Sequence, residues 1–174
     1  ELARLFAGFD AQTRQAAAQA FGLRAFGPHL FPADQPRPQR AREEFELVMF
    51  RPMSLVSGAA AELPWMLEQL GFHAKGQWDS WVEVHPEDAK RLALRDHDAV
   101  ELRSKAGSLR TKVRLFSGVK PGTLAMPIGL GSEQGGRWAK GRGADPRRLA
   151  VAAQDPIRGM GVMDFPLVRI RRIS

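Results

Sequence analysis

Between Gly129 and Pro146 the sequence GLGSEQGGRWAKGRGADP holds six glycines and the bases Arg137, Lys140 and Arg142, with Arg147 just beyond. So many glycines rule out a regular helix or strand. They leave backbone N–H groups free to converge on an anion, and arginines add two-pronged pairs to phosphate. The plainer alternative is a solvated surface loop. Long loops inside compact domains are more often functional or disordered than idle, so the segment is read as a contact for a phosphate-bearing ligand.

No other stretch carries a reaction. His29, His73, His85 and His97 are scattered, with no pair at metal-ligand spacing. They read as structural histidines, and no metal site is assigned. Gly129-x-Gly131 follows a strand, but the third glycine of a dinucleotide fingerprint is misplaced, and no nucleophile elbow or Walker loop occurs. Glu87 and Asp88 are adjacent and so face different ways on a helix, which suits helix N-terminal charge complementation better than acid–base work. The chain has no cysteine and no tyrosine, which removes disulfides, thiol catalysis and cysteine-held clusters. No catalytic residue is assigned. Trp78 and Trp81 read as core or interface packing, with stacking on a planar ligand as the alternative.

The elements that must position these residues are most legible from Trp81 to Leu115. Trp81, Val82 and Val84 form a short strand ended by His85-Pro86. Pro86, Glu87 and Asp88 open a helix of about two turns carried by Ala89, Leu92 and Ala93. Val100 and Leu102, then Leu109, Thr111, Val113 and Leu115, alternate with charged residues on either side of a turn around Gly107. Period two on both arms predicts a hairpin with one buried face.

Upstream, residues 1–21 read as helix, and Pro28, Pro32, Pro36 and Pro38 mark a proline-rich linker, so that residues 1–44 form an extension and 45–174 the main domain. Phe45 to Arg51 reads as a largely buried strand, Pro52 to Glu62 as a loop, and Leu63 to Leu67 as a short helix or turn. Downstream, Thr123 to Met126 is a strand, 147–163 irregular with a short helix, and Phe165 to Ile173 the closing strand. The sequence shows no internal repeat. Fold class is mainly β with short helices.

A chain of 174 residues is long enough for one good core. No apolar run reaches the roughly 20 residues that cross a bilayer. The start at Glu1 fits a processed N-terminus or a piece of a longer polypeptide. Net charge of +7, from 26 bases and 19 acids, points to a polyanionic partner. Nucleic acid is not expected, because only Trp138 interleaves with the bases of Arg137 to Arg148.

Three blocks, WVEVHPEDAKRLALRDHDAVELRSKAG, VKPGTLAMPIGLG and GRWAKGRGADP, with Leu63-Pro64-Trp65 ahead of them, resemble a known family. It is the C-terminal molybdopterin dinucleotide-binding domain of the dimethyl sulfoxide reductase superfamily, in its polysulfide, thiosulfate and tetrathionate reductase-like branch. The resemblance covers about residues 45–172. It implies a six-stranded double-psi β-barrel that contacts molybdopterin guanine dinucleotide without being catalytic alone. The matching motif positions are Arg51, Ser54 and Ser57 after the first strand, and Gly131, Gln134, Arg137, Trp138 and Asp145 in the glycine-rich loop. It also implies the remaining domains of a larger oxidoreductase chain, iron–sulfur and membrane-anchor subunits as partners, and a periplasmic or membrane-associated location.

Three positions depart from the family pattern. His97 stands where a glycine is usual before Asp98, Ser132 where a histidine is usual, and Asp145 where an asparagine is usual. An asparagine amide both donates and accepts, whereas an ionised aspartate only accepts. The last two departures motivate a second reading, a structural module of a respiratory-complex subunit that has lost the molybdenum cofactor.

Overall fold

The computed structural model describes residue 41 and residues 43–70, 78–151, 153–154, 161–162 and 165–173. The helices and linker expected before residue 41, and the loop expected over 71–77, lie outside the described residues. In chain order the elements are β1 (Phe45–Phe50), α1 (Pro64–Glu68), β2 (Trp81–Val84), α2 (Pro86–Arg91), β3 (Ala99–Arg103), β4 (Ser108–Leu115), β5 (Thr123–Pro127), β6 (Ala153–Gln154), β7 (Gly161–Val162) and β8 (Leu167–Arg172). Single 3-10 turns lie at Val56–Gly58 and Pro146–Leu149.

Six strands close into a barrel in the order β1-β5-β2-β4-β3-β8, a six-stranded double-psi β-barrel. Closure leaves no open sheet edge. β1 with β5 and β2 with β4 run parallel, and the other four pairings are antiparallel. Exchanging β1, β2 and β3 for β4, β5 and β8 reproduces this whole set of pairings. The barrel is therefore two interlocked copies of one three-strand topology, a repeat that the residue sequence does not display.

The interior is filled by alternate residues of every strand: Phe45 and Leu47, Val82 and Val84, Val100 and Leu102, Leu109 and Val113, Leu124 and Met126, and Val168. Full burial of each large side chain contributes about 1.5–3 kcal/mol. β1 is less enclosed than FELVMFR suggests. Phe45 and Leu47 are buried, while Glu46, Val48 and Phe50 are half-buried because a strand in a single-layer barrel turns alternate side chains outward. Met49, on the inner face near the end of the strand, is half-buried against the core.

The helix after β2 forms as the local signals predict. His85 is its N-cap, with Nδ1 accepting from Glu87 N at 3.2 Å, Pro86 occupies the first turn, and acids precede bases along it. Asp88 does more than complement the helix end: buried, it accepts from Gly122 N at 2.5 Å and so ties α2 to the β4–β5 turn. His97, in the turn entering β3, has φ of 68°. The position does need the left-handed backbone that a glycine would supply.

Residues 40–152 and 163–174 make up the unit that contains the barrel. In the other unit, which includes residues 153–162, the described structure is an antiparallel ladder of β6 and β7. Two-residue strands are too short for a periodic signal, so the region reads as irregular in sequence.

Candidate functional site

The strand directions decide where the loops go. β1 and β5 are parallel neighbours, with Phe50 beside Pro127, and Ile128 N donates to Phe50 O at 2.9 Å. Both strands therefore finish at one end of the barrel, and the loop after β1 and the glycine-rich loop after β5 leave side by side. β2 runs against β5, so the chain returns into Trp81 at that same end.

The two loops touch backbone to backbone. Val56, Ser57 and Gly58 all have positive φ, at 45°, 61° and 110°. For a β-branched residue such as Val56 that conformation is strained. The turn brings Gly58 onto Gly129, itself at φ 114°, where an added Cβ would lie 2.9 Å from Gly58 N. Beneath this contact a second apolar cluster joins the elements: Leu55, Ala61, Leu67, Leu70, Trp81, Leu130 and Ala139, flanked by Phe50, Trp78 and Trp138.

Within the glycine-rich loop Gly131 N donates to Arg142 O at 2.8 Å, closing the excursion at its base. Gly131 has φ of 84°, and a Cβ there would strike Asp145 N and Ala144. The base is moored to the barrel through Ser80. Its Oγ accepts from Ala144 N at 2.8 Å, and its carbonyl accepts from Thr111 Oγ1 at 3.1 Å. Aromatic and cationic groups then alternate. Arg137 lies 4.9 Å over the Trp138 ring, Trp138 is 6.0 Å from Trp78, and Arg142 lies 4.5 Å over Trp78 while its Nε donates to Trp138 O. A cation–aromatic pair is worth about 0.5–1 kcal/mol where the cation is exposed, as Arg137 is, and about 2 kcal/mol where it is desolvated. Trp78 thus meets Trp138, and both flank the cluster that contains Trp81, which is buried and donates to Glu83 at 3.0 Å.

One expectation is corrected here. Two of the loop's N–H groups, read from the sequence as available to a ligand, already hold an anion of the protein itself. Gly136 N donates to one oxygen of Glu62 at 2.5 Å and Trp138 N to the other at 3.2 Å. Glu62 belongs to the loop after β1, and nothing in its neighbourhood in sequence marks it. The same holds for several arginines. Asp145 caps the 3-10 turn and pairs with Arg147 at 2.8 Å, raising the Arg147 guanidinium above its ordinary range chiefly through their hydrogen bond. Arg148 donates to Glu133 at 2.6 Å and holds that carboxyl below the usual carboxylate range.

Of the residues matched by resemblance, Arg51, Ser54 and Ser57 sit on the loop after β1, and Gly131, Gln134, Arg137, Trp138 and Asp145 on the glycine-rich loop, both at this end of the barrel. Arg51, Gln134 and Arg137 are exposed, and Ser54, Ser57 and Trp138 half-buried. Asp145 is turned to Arg147, and Gly131 serves the loop's own closure. Arg51, Arg137 and Lys140 form no ion pair with another described residue. A cleft of about 500 Å³ between this loop and the β3–β4 wall is lined by Glu101, Arg110, Gly131, Glu133, Asp145 and Arg148 among others. The described residues contain no cluster suited to a metal ion and no helix long and apolar enough to cross a membrane.

Hydroxyls at Ser54 and Ser57, an amide at Gln134 and the cations Arg51, Arg137 and Lys140, which pair with no described acid, make a donor set suited to a ligand with phosphates and hydrogen-bonding ring edges. The family model described as "Molydopterin dinucleotide binding domain" matches residues 66–161, more than half of the sequence, and the chain belongs to that family. The molybdopterin-containing subunit ArrA of arsenate respiratory reductase from Shewanella sp. (strain ANA-3) is 32% identical over 133 residues, 74% of this chain and 15% of that protein. The menaquinone reductase molybdopterin-binding-like subunit of Nitratidesulfovibrio vulgaris is 31% identical over 84 residues, 48% of this chain and 12% of that one. The thiosulfate reductase subunit PhsA of Salmonella typhimurium is 31% identical over 62 residues, 36% of this chain and 8% of that one. The chain thus spans 8% to 15% of the length of these relatives. Among solved structures, acetylene hydratase from Pelobacter acetylenicus superposes with a TM-score of 0.59 at 14% identity, over 84% of this chain and 19% of that one, and shares the fold.

Proposed function

We propose that this domain supplies one wall of a molybdopterin guanine dinucleotide site in a larger oxidoreductase chain acting on sulfur compounds, and is not catalytic by itself. The observation that carries the reading is the convergence of two loops, through Gly58 against Gly129, on one end of the barrel. That end bears Ser54, Ser57, Gln134 and Arg137. In this role Arg51, Arg137 and Lys140 face phosphates, while the hydroxyls and the Gln134 amide meet the hydrogen-bonding edges of the ring systems. The bound group brings the redox chemistry. This chain's part is to bind, orient and screen it. The short share of each relative that the chain spans is in keeping with a domain of a larger protein. Iron–sulfur and membrane-anchor subunits are the further partners that this reading proposes. A periplasmic or membrane-associated location belongs to the same reading, and fractionation of the source cells tests it.

A second reading is a structural module in a respiratory-complex subunit without the molybdenum cofactor. Glu62 filling loop donors and Asp145 engaged by Arg147 favour it, as does the likeness to a molybdopterin-binding-like subunit. Molybdenum analysis and pterin fluorescence on the intact parent protein separate the two. The first reading expects stoichiometric molybdenum and pterin in the parent, lowered by Arg137→Ala, and no reductase activity with only weak dinucleotide binding in the 174-residue chain. A parent free of both groups selects the second reading, and stoichiometric molybdenum in the isolated chain overturns the division of labour.

A further inference from the structure

We infer that the N–H groups of Gly136 and Trp138 form an oxyanion seat and that Glu62 is its built-in occupant, exchangeable for a phosphate or diphosphate. The seat lies in the loop assigned above to the dinucleotide and deepens that reading, by naming where a phosphate enters and what it displaces.

Three observations carry this. First, the two donors take one carboxylate oxygen each, at 2.5 Å and 3.2 Å, so the seat is shaped for an anion and already contains one. Second, the absence of a side chain at Gly136 lets the carboxylate sit close: a Cβ there would lie 3.0–3.1 Å from the Glu62 carboxylate atoms and push them back by a few tenths of an ångström. Third, the occupant is held lightly. Glu62 is exposed, forms no ion pair with a described residue, and reaches the seat on a flexible side chain from a different loop. A solvent-screened carboxylate with no cation partner is a weak competitor. The surroundings favour a stronger anion. Arg137, on the Trp138 ring, and Lys140, whose N–H bonds Gly136 O at 3.1 Å, bring to the same turn two positive charges that pair with no described acid, while the acids Glu133 and Asp145 are paired elsewhere. With Glu62 in place the local balance of Arg137, Lys140 and Glu62 is one positive charge, and with it swung out, two.

The exchange predicts a sign that a plain structural latch does not. If Glu62 only held the loop together, removing it would loosen the seat and weaken anion binding. If Glu62 competes, removing it strengthens binding. The test uses the 174-residue chain and its Glu62→Ala and Glu62→Gln variants, titrated with inorganic pyrophosphate at fixed ionic strength, by calorimetry and by the fluorescence of Trp138 beside Trp78. Matched circular dichroism spectra establish that the variants fold. Glu62→Ala is expected to tighten pyrophosphate about tenfold, the order of one charge-assisted hydrogen-bonding group changing hands. Glu62→Gln, without the charge, is expected to tighten it by less. Adding Arg137→Ala to Glu62→Ala is expected to cancel the gain. Unchanged or weaker binding in a folded Glu62→Ala chain overturns the proposal. So does a gain that survives Arg137→Ala, since it would arise elsewhere. Because the probe is pyrophosphate and the chain is isolated, a parent without molybdenum would sink the dinucleotide reading and leave this result standing, and the reverse also holds.

Discussion

Replacing Gly131 by alanine is the sharpest perturbation of the site's frame. Its φ of 84° costs an L-residue about 1–2 kcal/mol. The new Cβ would also meet Asp145 N and the Ala144 backbone, atoms that cannot rotate aside as a side chain can. Overpacking of that kind costs about 1–3 kcal/mol more. The sum is about 2–5 kcal/mol, or opening of the loop base with loss of the Gly131–Arg142 bond and of the Ala144–Ser80 mooring. The structure supplies its own control. Gly141 has φ of 70°, but nothing lies within 4 Å of an added Cβ, so Gly141→Ala should cost only the backbone part, about 1–2 kcal/mol. Urea unfolding of both variants beside the parent measures the difference, and amide exchange at Gly131 and Ala144 shows whether the loop base has opened. Equal destabilisation of the two variants, within about 0.5 kcal/mol, would refute the close-approach argument and with it the placement of the loop base.

Other expectations follow from single contacts. Leu55→Ala, in the cluster that joins the two loops, should cost about 2–5 kcal/mol in urea unfolding, while Leu63→Ala, 36% exposed, should cost far less. His97→Gly should stabilise the barrel by about 0.5–1 kcal/mol, because it relieves a left-handed residue whose contact to Asp96 is exposed and weak. The Glu133 carboxyl is held low by Arg148, so its pair persists above the ordinary carboxylate range and is lost as pH falls through its lowered value. Arg148→Gln should move the Glu133 titration, followed by carboxyl carbon NMR, up toward the ordinary range. Removing Ser80 Oγ in Ser80→Ala leaves Ala144 N without its acceptor and should cost about 1–3 kcal/mol.

What could be read from residues alone was what rests on local chemistry. Period two in Val100 to Leu115 marks a hairpin because one face must be buried, and His85-Pro86-Glu87-Asp88 marks a helix start because cap, ring and charges all act within one turn. The family's blocks marked the barrel and the two loops at its end. What stayed hidden was long-range. Glu62 and Gly136 are far apart in sequence, and no spacing rule pairs a lone acid with a distant N–H. The same is true of Trp78 with Trp138, which are far apart in sequence and meet at the edge of the second apolar cluster, to which Trp81 also belongs. The twofold repeat of strand pairings is invisible for a related reason: it survives in hydrogen-bond topology, which many unrelated side chains can satisfy. Arginines counted from the sequence as phosphate ligands were partly committed to acids and rings that only the folded loop brings near.

On the proposed reading a phosphate-bearing nucleotide meets the rim formed by the loop after β1 and the glycine-rich loop. Titrating the isotopically labelled chain with guanosine diphosphate, the nucleotide half of the proposed cofactor, and following backbone amide shifts tests it most directly. Saturable shifts are expected at Ser54, Ser57 and Gln134 to Trp138, with the β4–β5 turn near Gly122 unmoved. Shifts centred on that turn, or no saturable change at the rim at millimolar nucleotide, would contradict it.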